Sequence, residues 1–351
     1  MRDSVYLLWI DRLRVMMMVM IMMVSWRCVL GLENINPIFF DEGLSHLFGE
    51  GNLIRSPDDR SVRLLLDKYT GSGFISSSMY QHGFFSSLIK LPGAYTAGIC
   101  VAFYTSNGDV FVKNHDELDI EFLGNVEGKP WRFQTNMYGN GSTNRGREER
   151  YSLWFDPSKE FHRYSILWNP TKIIFWVDDV PIREIIRKEE MNGDYPQKPM
   201  SLYATIWDAS SWATSGGKFA VDYTFSPFVS EFKDIALDGC NVSDSSIRTV
   251  TGDNNNININ CSVSDQLLTT NDYSTISPKQ GAAMRRFRER YMYYSYCYDT
   301  VRYAVPPPEC VIVTAERDRF KDTGRLKFGG SHKARKRRRR NRSTPVVTAD
   351  L

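Results

Sequence analysis

In the segment HDELDIEFLG (115–124), three carboxylates alternate with three apolar side chains. Glu117, Asp119 and Glu121 interleave with Leu118, Ile120 and Phe122. An extended chain repeats its side chains every two residues, so the segment has one acidic face and one apolar face. The apolar face belongs in a core, which leaves the acidic face to line an open surface. Three like charges in a row repel, and a strand with a purely structural job has no reason to keep them. A solvated edge strand or a calcium site would also use carboxylates. The apolar face and the hydrophobic flanking segments favour a central strand at the floor of a cleft. The chemistry open to such a set is hydrolysis or transfer of a sugar. Glu117 and Glu121 have Cα atoms about 13 Å apart in an extended strand. Side chains leaning together would bring the carboxyls toward the roughly 5–5.5 Å separation of a retaining glycosidase. One carboxylate attacks the anomeric carbon, and the other protonates the leaving oxygen and then deprotonates the acceptor. Asp119, between them, can hydrogen-bond the nucleophile and keep the two glutamates in different protonation states.

Other residues suit a sugar cleft. Trp207, Asp208 and Trp212 lie in TIWDASSWATSGG around a Ser-rich turn, where two indoles can flank a groove. Trp131, Gln134 and Asn136 lie in WRFQTN, the next strand candidate after the acidic one. Gln134 and Asn136 share a face at period two and offer amides to hydroxyls. Each residue taken alone fits core packing or turn capping equally well, as does Tyr203.

The elements that must position these groups read as short strands broken by turn residues. SVRLLLDKY, GFISSSMYQ, FFSSLIKLP, AGICVAFYTSN, DELDIEFLG, WRFQTNMYG, ERYSLWFDP, HRYSILWNP, KIIFWVDDVPI, SLYATIW and FAVDYTFSPF are the candidates. Asn107-Gly108 predicts a hairpin between AFYTS and DVFV, and Asp178-Asp179 a turn between IIFWV and VPIRE. Strands without helical crossovers exclude a βαβ fold and predict a large antiparallel sandwich. Aromatics at 13% agree with a strand-rich fold and exclude a mainly disordered chain. Composition shifts near residue 239. Residues 280–298 predict a helix with Ala282, Ala283, Phe287, Tyr291 and Tyr294 on one face, breaking down before Cys297. Prolines 306–308 end regular structure.

The termini speak to location. Residues 15–24 read VMMMVMIMMV behind Arg12 and Arg14, too short to span a bilayer and similar to a secretory signal peptide. Of the six cysteines, Cys240 with Cys261 and Cys297 with Cys310 are neighbours in sequence and would suit an oxidising compartment. Four cysteines allow three pairings, and proximity alone favours this one. Cys100 sits in an apolar run and reads as a buried free thiol. Of the sequons at Asn140, Asn241, Asn260 and Asn341, Asn140 is the preferred glycan site. The net charge of +3 conceals eight basic residues in KARKRRRRNR (333–342), without which the chain carries −5. Such a tail can bind nucleic acid, anionic lipid or an acidic polysaccharide.

On these motifs the chain resembles the plant xyloglucan endotransglucosylase/hydrolases of glycoside hydrolase family 16, from about Phe39 to Cys310. HDELDIEFLG matches the signature H-D-E-[IL]-D-x-E-F-L-G, with LWFDP (153–157), the WATSGG stretch and the YCYD…PPPEC segment as independent matches. The resemblance implies Glu117 as nucleophile, Asp119 as helper and Glu121 as acid/base. It implies substrate contacts at Gln134, Asn136, Glu148, Trp207, Asp208, Trp212 and Gly217. It implies an all-β, concanavalin A-like jelly-roll sandwich and a C-terminal extension with two disulfides that helps bind the acceptor. The organisation expected is a signal peptide (1–31), a catalytic jelly roll (32–238), the extension (239–315) and a disordered basic tail (316–351). Relatives commonly carry a sequon directly after the catalytic strand, where this chain reads Asn125-Val126-Glu127, and many have histidine at the place of Gln134. With the basic tail, these departures resemble a divergent subgroup that acts mainly by transfer. The expected reaction cleaves xyloglucan internally and passes the donor half to another xyloglucan chain. No cofactor or metal is expected. The protein is expected in the apoplast and cell wall as a monomer, with the basic tail contacting pectin and not nucleic acid. The rivals are an endo-hydrolase with the same carboxylates and an inactive wall glycan-binding protein.

Overall fold

A computed structural model describes residues 36–242 and 274–320, with Cys261 and a few residues between 264 and 269. The signal-peptide segment and the 333–342 run lie outside the described residues. Two antiparallel sheets face each other across an apolar core. The first has eight strands in the spatial order β1 (Leu44–Phe48), β4 (Ser72–Ser76), β13 (Ser201–Asp208), β6 (Ile99–Ser106), β7 (Glu117–Leu123), β8 (Arg132–Tyr138), β9 (Glu149–Tyr151) and β15 (Met292–Ser295). The second has seven: β12 (Val180–Ile186), β11 (Lys172–Val177), β10 (His162–Trp168), β5 (Met79–Lys90), β14 (Phe228–Val242), β3 (Ser61–Leu66) and β2 (Leu53–Arg55). The expected all-β jelly-roll sandwich is the observed one.

The acidic segment is β7, in the middle of the first sheet between β6 and β8. Its even positions do what their apolarity demands. Leu118, Ile120 and Phe122 are all fully buried between the sheets. Phe122 meets Tyr164 of β10 edge-on at 4.8 Å and Phe133 of β8 at 5.2 Å. The odd positions therefore face outward. Phe122→Ala is expected to cost about 3–5 kcal/mol through the cavity it leaves, read as a lowered denaturant midpoint.

Several local expectations need correction. Asn107-Gly108 does not join AFYTS to a strand DVFV. Residues 107–116 form a long loop, in which the Asn107 side chain accepts from the amide of Asp116 (2.7 Å) and donates to the Pro199 carbonyl (2.9 Å). FAVDYTFSPF is not a strand either: Asp222 caps a single helical turn, Tyr223–Phe225, before β14 begins. Only Glu149–Tyr151 of ERYSLWFDP pairs in the sheet. By contrast, Asp178-Asp179 makes the expected turn between β11 and β12, with Asp178 at φ +51°.

The C-terminal extension begins without a break. β14 runs through residue 239, and Cys240 on it bonds to Cys261. A helix, α2 (Pro278–Tyr291; α1 is the short turn Phe40–Gly43), starts on a capping box of Ser277 and Gln280. It ends sooner than expected. Met292–Ser295 leave it to pair with β9, so Tyr294 is a strand residue and not part of the helical face. The Cys297–Cys310 bond closes the segment that follows, and α3 (Thr314–Phe320) crosses the expected boundary at 316. Cys100 is free and buried.

Charge docks the extension on the sandwich. Glu149 of β9 is 2% exposed and accepts from Arg288 Nη1 and Nη2 of α2 (2.7 and 2.9 Å), Tyr151 (2.5 Å) and Ser295 (2.8 Å). Arg183 of β12 lies 3.6 Å away. Burial alone would raise the Glu149 carboxyl, but Arg288 and Arg183 hold it down at about 2. Arg288 continues to Glu316 of α3 at 3.0 Å. Beside it, buried Arg147 bridges Asp194 of the sandwich and Glu309 of the extension, each at 2.6 Å.

Candidate active site

Register brings the acidic face its neighbours. Each carboxylate of β7 has one residue directly across on β6 and one on β8. Glu117 lies between Ser106 and Tyr138, Asp119 between Tyr104 and Asn136, and Glu121 between Ala102 and Gln134. β13 continues the same face with Tyr203, Thr205 and Trp207 opposite Tyr104, Ala102 and Cys100. The result is an open cleft of about 510 Å³ whose floor is the three carboxylates. Its walls include Phe48, Tyr104, Tyr138, Thr205 and Trp207. Glycine is required at position 124, directly after the strand, because a Cβ there would sit 1.8 Å from the Thr96 carbonyl oxygen.

The carboxylates are not equivalent. Asp119 is only 6% exposed. Burial, then the charges of Glu117 and Glu121, push it well above the usual carboxylate range, and it is hydrogen-bonded to Glu117. Glu121 is raised too, first by burial and then by Glu117 and Glu148. The amide of Gln134, 2.6 Å from Glu121 Oε2, and the guanidinium of Arg150 oppose that rise. Burial also raises the phenols of Tyr104 and Tyr138, so both remain neutral donors on the walls.

The remaining expected site residues fall into several groups. Asn136 faces the cleft, bonds Tyr138, and accepts the Arg147 amide at 2.8 Å. Glu148 pairs with Arg150 (2.5 Å) and with Arg302 of the extension (3.7 Å). Trp207 lines the cleft and Trp212 lies beyond it, 37% exposed, with ring centres 6.0 Å apart. Asp208 caps the following turn through Ser210 and accepts from the Tyr223 hydroxyl at 2.6 Å. Those bonds outweigh its partial burial and hold its carboxyl below the usual range. Gly217 closes the turn at φ +84°, where a Cβ would meet the Ser211 carbonyl at 2.3 Å. Trp131 is buried and donates to the Pro92 carbonyl at 3.2 Å, so it belongs to the core and not to the cleft. Asn140 is exposed on the loop after β8 at φ +52°.

Sequence reasoning missed Tyr104, Tyr138, Thr205 and the contact of Cys100 Sγ with Glu121 Oε1 at 3.9 Å. The signal was present. Period two along Ile99–Ser106 places Cys100, Ala102 and Tyr104 on one face, but without the register nothing ties that face to the carboxylates.

Comparison with known families agrees with this arrangement. The description "Glycosyl hydrolases family 16" matches residues 40–225, and "Xyloglucan endo-transglycosylase (XET) C-terminus" matches residues 264–310. The chain belongs to glycosyl hydrolase family 16. Within that family it is 87% identical over 361 aligned positions, all of both chains, to the probable xyloglucan endotransglucosylase/hydrolase protein 29 of Arabidopsis thaliana. It is 67% identical to protein 30 of the same series, over 94% of each chain. Xyloglucan endotransglucosylase/hydrolase protein 2 of the same plant is 42% identical, over 78% of this chain and 89% of that one. The family-16 match spans all three carboxylates, and the second match takes in α2 and both cysteines of the Cys297–Cys310 bond.

Proposed function

We propose that the chain is a retaining xyloglucan endotransglucosylase of the plant cell wall. The observation that carries this reading is the carboxylate row of β7 on the cleft floor, with Asp119 between Glu117 and Glu121 and with Glu121 held by Gln134 at 2.6 Å. In the first step Glu117 attacks the anomeric carbon of an internal β-1,4-glucan bond. The C1–O bond breaks, and the leaving oxygen takes the proton from Glu121. The donor half stays on Glu117 as a glycosyl ester. In the second step Glu121, now ionised, takes the proton of the incoming 4-hydroxyl as that oxygen displaces Glu117. Two inversions leave the anomeric configuration unchanged. Asp119 stabilises Glu117 as it departs.

Asn136, Trp207 and the turn carrying Asp208, Trp212 and Gly217 are the proposed sugar contacts on the sandwich. Glu148 is the proposed contact where the extension arrives, since it pairs with Arg302 and its charge reaches Asp119 and Glu121. A binding surface for the acceptor at that end would let a hydroxyl outcompete water. Secretion to the apoplast, a glycan on Asn140, a monomeric state and retention on acidic wall polymer through residues 333–342 complete the proposal.

Incubating the secreted protein with long xyloglucan, with and without a labelled xyloglucan oligosaccharide, tests it. Label should enter long polymer. Shortening of polymer without label transfer would replace transferase by endo-hydrolase. Binding without either would leave a wall glycan-binding protein.

A further inference from the structure

Glu121 is gripped at both oxygens by this chain's own side chains. Gln134, directly across on β8, points its amide nitrogen at Oε2 from 2.6 Å. Cys100, from β6, places its sulfur 3.9 Å from Oε1. Both holding residues are buried, at 6% and 0% exposure, and neither is among the residues lining the cleft. An amide nitrogen can only donate. The oxygen it faces must present a lone pair, which a carbonyl oxygen does better than a hydroxyl, so the contact favours the acid form with its proton on the other oxygen.

We propose that Gln134 is a positioning residue for Glu121, fixing Oε2 as an acceptor so that the transferable proton is carried on Oε1 beside Cys100. The proposal rests on the reading of Glu121 as the acid/base. It changes what Gln134 is for, because its amide serves a carboxyl of the protein and not a hydroxyl of the sugar. The buried thiol suits the second place. Burial holds Cys100 well above its ordinary range, so it stays neutral and brings no competing charge to Oε1.

The groups acting on Glu121 set the sign of the expected pH effect. Glu117 and Asp119 face it from its own strand, Tyr104 and Cys100 stand on β6, Trp207 on β13, and Glu148 and Arg150 lie beyond β8. Glu117 and Glu148 favour the protonated form. Arg150 and the Gln134 donor favour the ionised form. Gln134→Leu removes a donor without adding charge, so Glu121 should hold its proton to higher pH, by about one unit for a bond to a charged group.

Two readouts test this. In kinetics, Gln134→Leu should lower kcat about tenfold, leave KM for xyloglucan within twofold, and move the alkaline limb of kcat/KM up by about one pH unit. The second readout follows the Glu121 carboxyl by carbon NMR, assigned by its loss in Glu121→Gln. It should titrate higher in Gln134→Leu and, by a smaller step, in Cys100→Ala. A rise in KM with an unmoved limb would make Gln134 a sugar-binding residue. An unmoved Glu121 titration in a variant that melts like the parent would also overturn the proposal. If the titration moves but xyloglucan is neither cleaved nor transferred, the positioning role stands and the substrate reading falls.

Discussion

Glu117→Gln should remove transfer and cleavage of xyloglucan together, by at least about 10⁴-fold, as loss of an attacking group does elsewhere. It should also raise thermal stability. Glutamine keeps the shape and loses the nucleophile, so no glycosyl ester can form. The stabilising half of the result comes from the row itself. Asp119 is held well above its ordinary range by burial and by the charges of Glu117 and Glu121, and Glu121 is raised partly by Glu117. A carboxyl whose folded pKa lies above its unfolded value costs stability once the pH exceeds the unfolded value, because the unfolded chain loses that proton first. Taking away the Glu117 charge relieves both neighbours. The gain should appear at pH 7 as about 1–3 °C in Tm, and vanish below about pH 4, where the carboxyls are protonated in both states. An inactive variant that melts lower at pH 7 would contradict this account of the row.

Arg288→Ala should cost about 3–5 kcal/mol. It deprives Glu149, which is 2% exposed, of two of its hydrogen bonds and leaves Arg183, 3.6 Å away, as its remaining cation. It also frees Glu316 from its 3.0 Å pair. The parent should share part of this sensitivity in acid. The folded pKa of Glu149 is depressed to about 2 from an ordinary 4.5, so its contribution is complete above about pH 4.5 and lost as the pH falls toward 2. Urea unfolding at pH 7 and pH 3 measures both effects. The parent should lose stability between them, and the variant should lose less, having already lost the pair. Equal acid slopes in the two proteins would show that Glu149 is not the group responsible.

Much of the site could be read from the chain because β7 is regular. Seven residues without a bulge keep period two intact, so its two faces could be assigned by inspection. β14 shows the opposite case. It pairs with both β5 and β3 inside the second sheet, yet register shifts between Lys233 and Ala236, and between Gly239 and Asn241, break its alternation. Read as a pattern, it disappears, and no candidate strand covered it. FAVDYTF failed for the converse reason: its alternation is genuine, but the Asp222 carboxylate caps a helical turn and takes the backbone out of extension. The partners of Glu121 were hidden differently. Gln134 was legible as a polar residue on the right face, but which group its amide would serve depended on a register that only pairing reveals.

Two segments of this chain match two separate family descriptions, and the strand pairing joins what those matches divide. β14 lies after the first match and before the second, yet it is an interior strand of the second sheet, paired between β5 and β3. β15, inside the second match, completes the edge of the first sheet beside β9. β9 itself looks two ways: Glu148, just before it in the loop, meets the arginine pair near the cleft, while Glu149 secures the helix of the extension. The added segment is therefore not a module strung behind an enzyme that was already complete. Its removal would take Arg288 and Ser295 from Glu149, at the end of the sheet that holds the catalytic strand, and leave that buried carboxylate to Arg183 and Tyr151 alone.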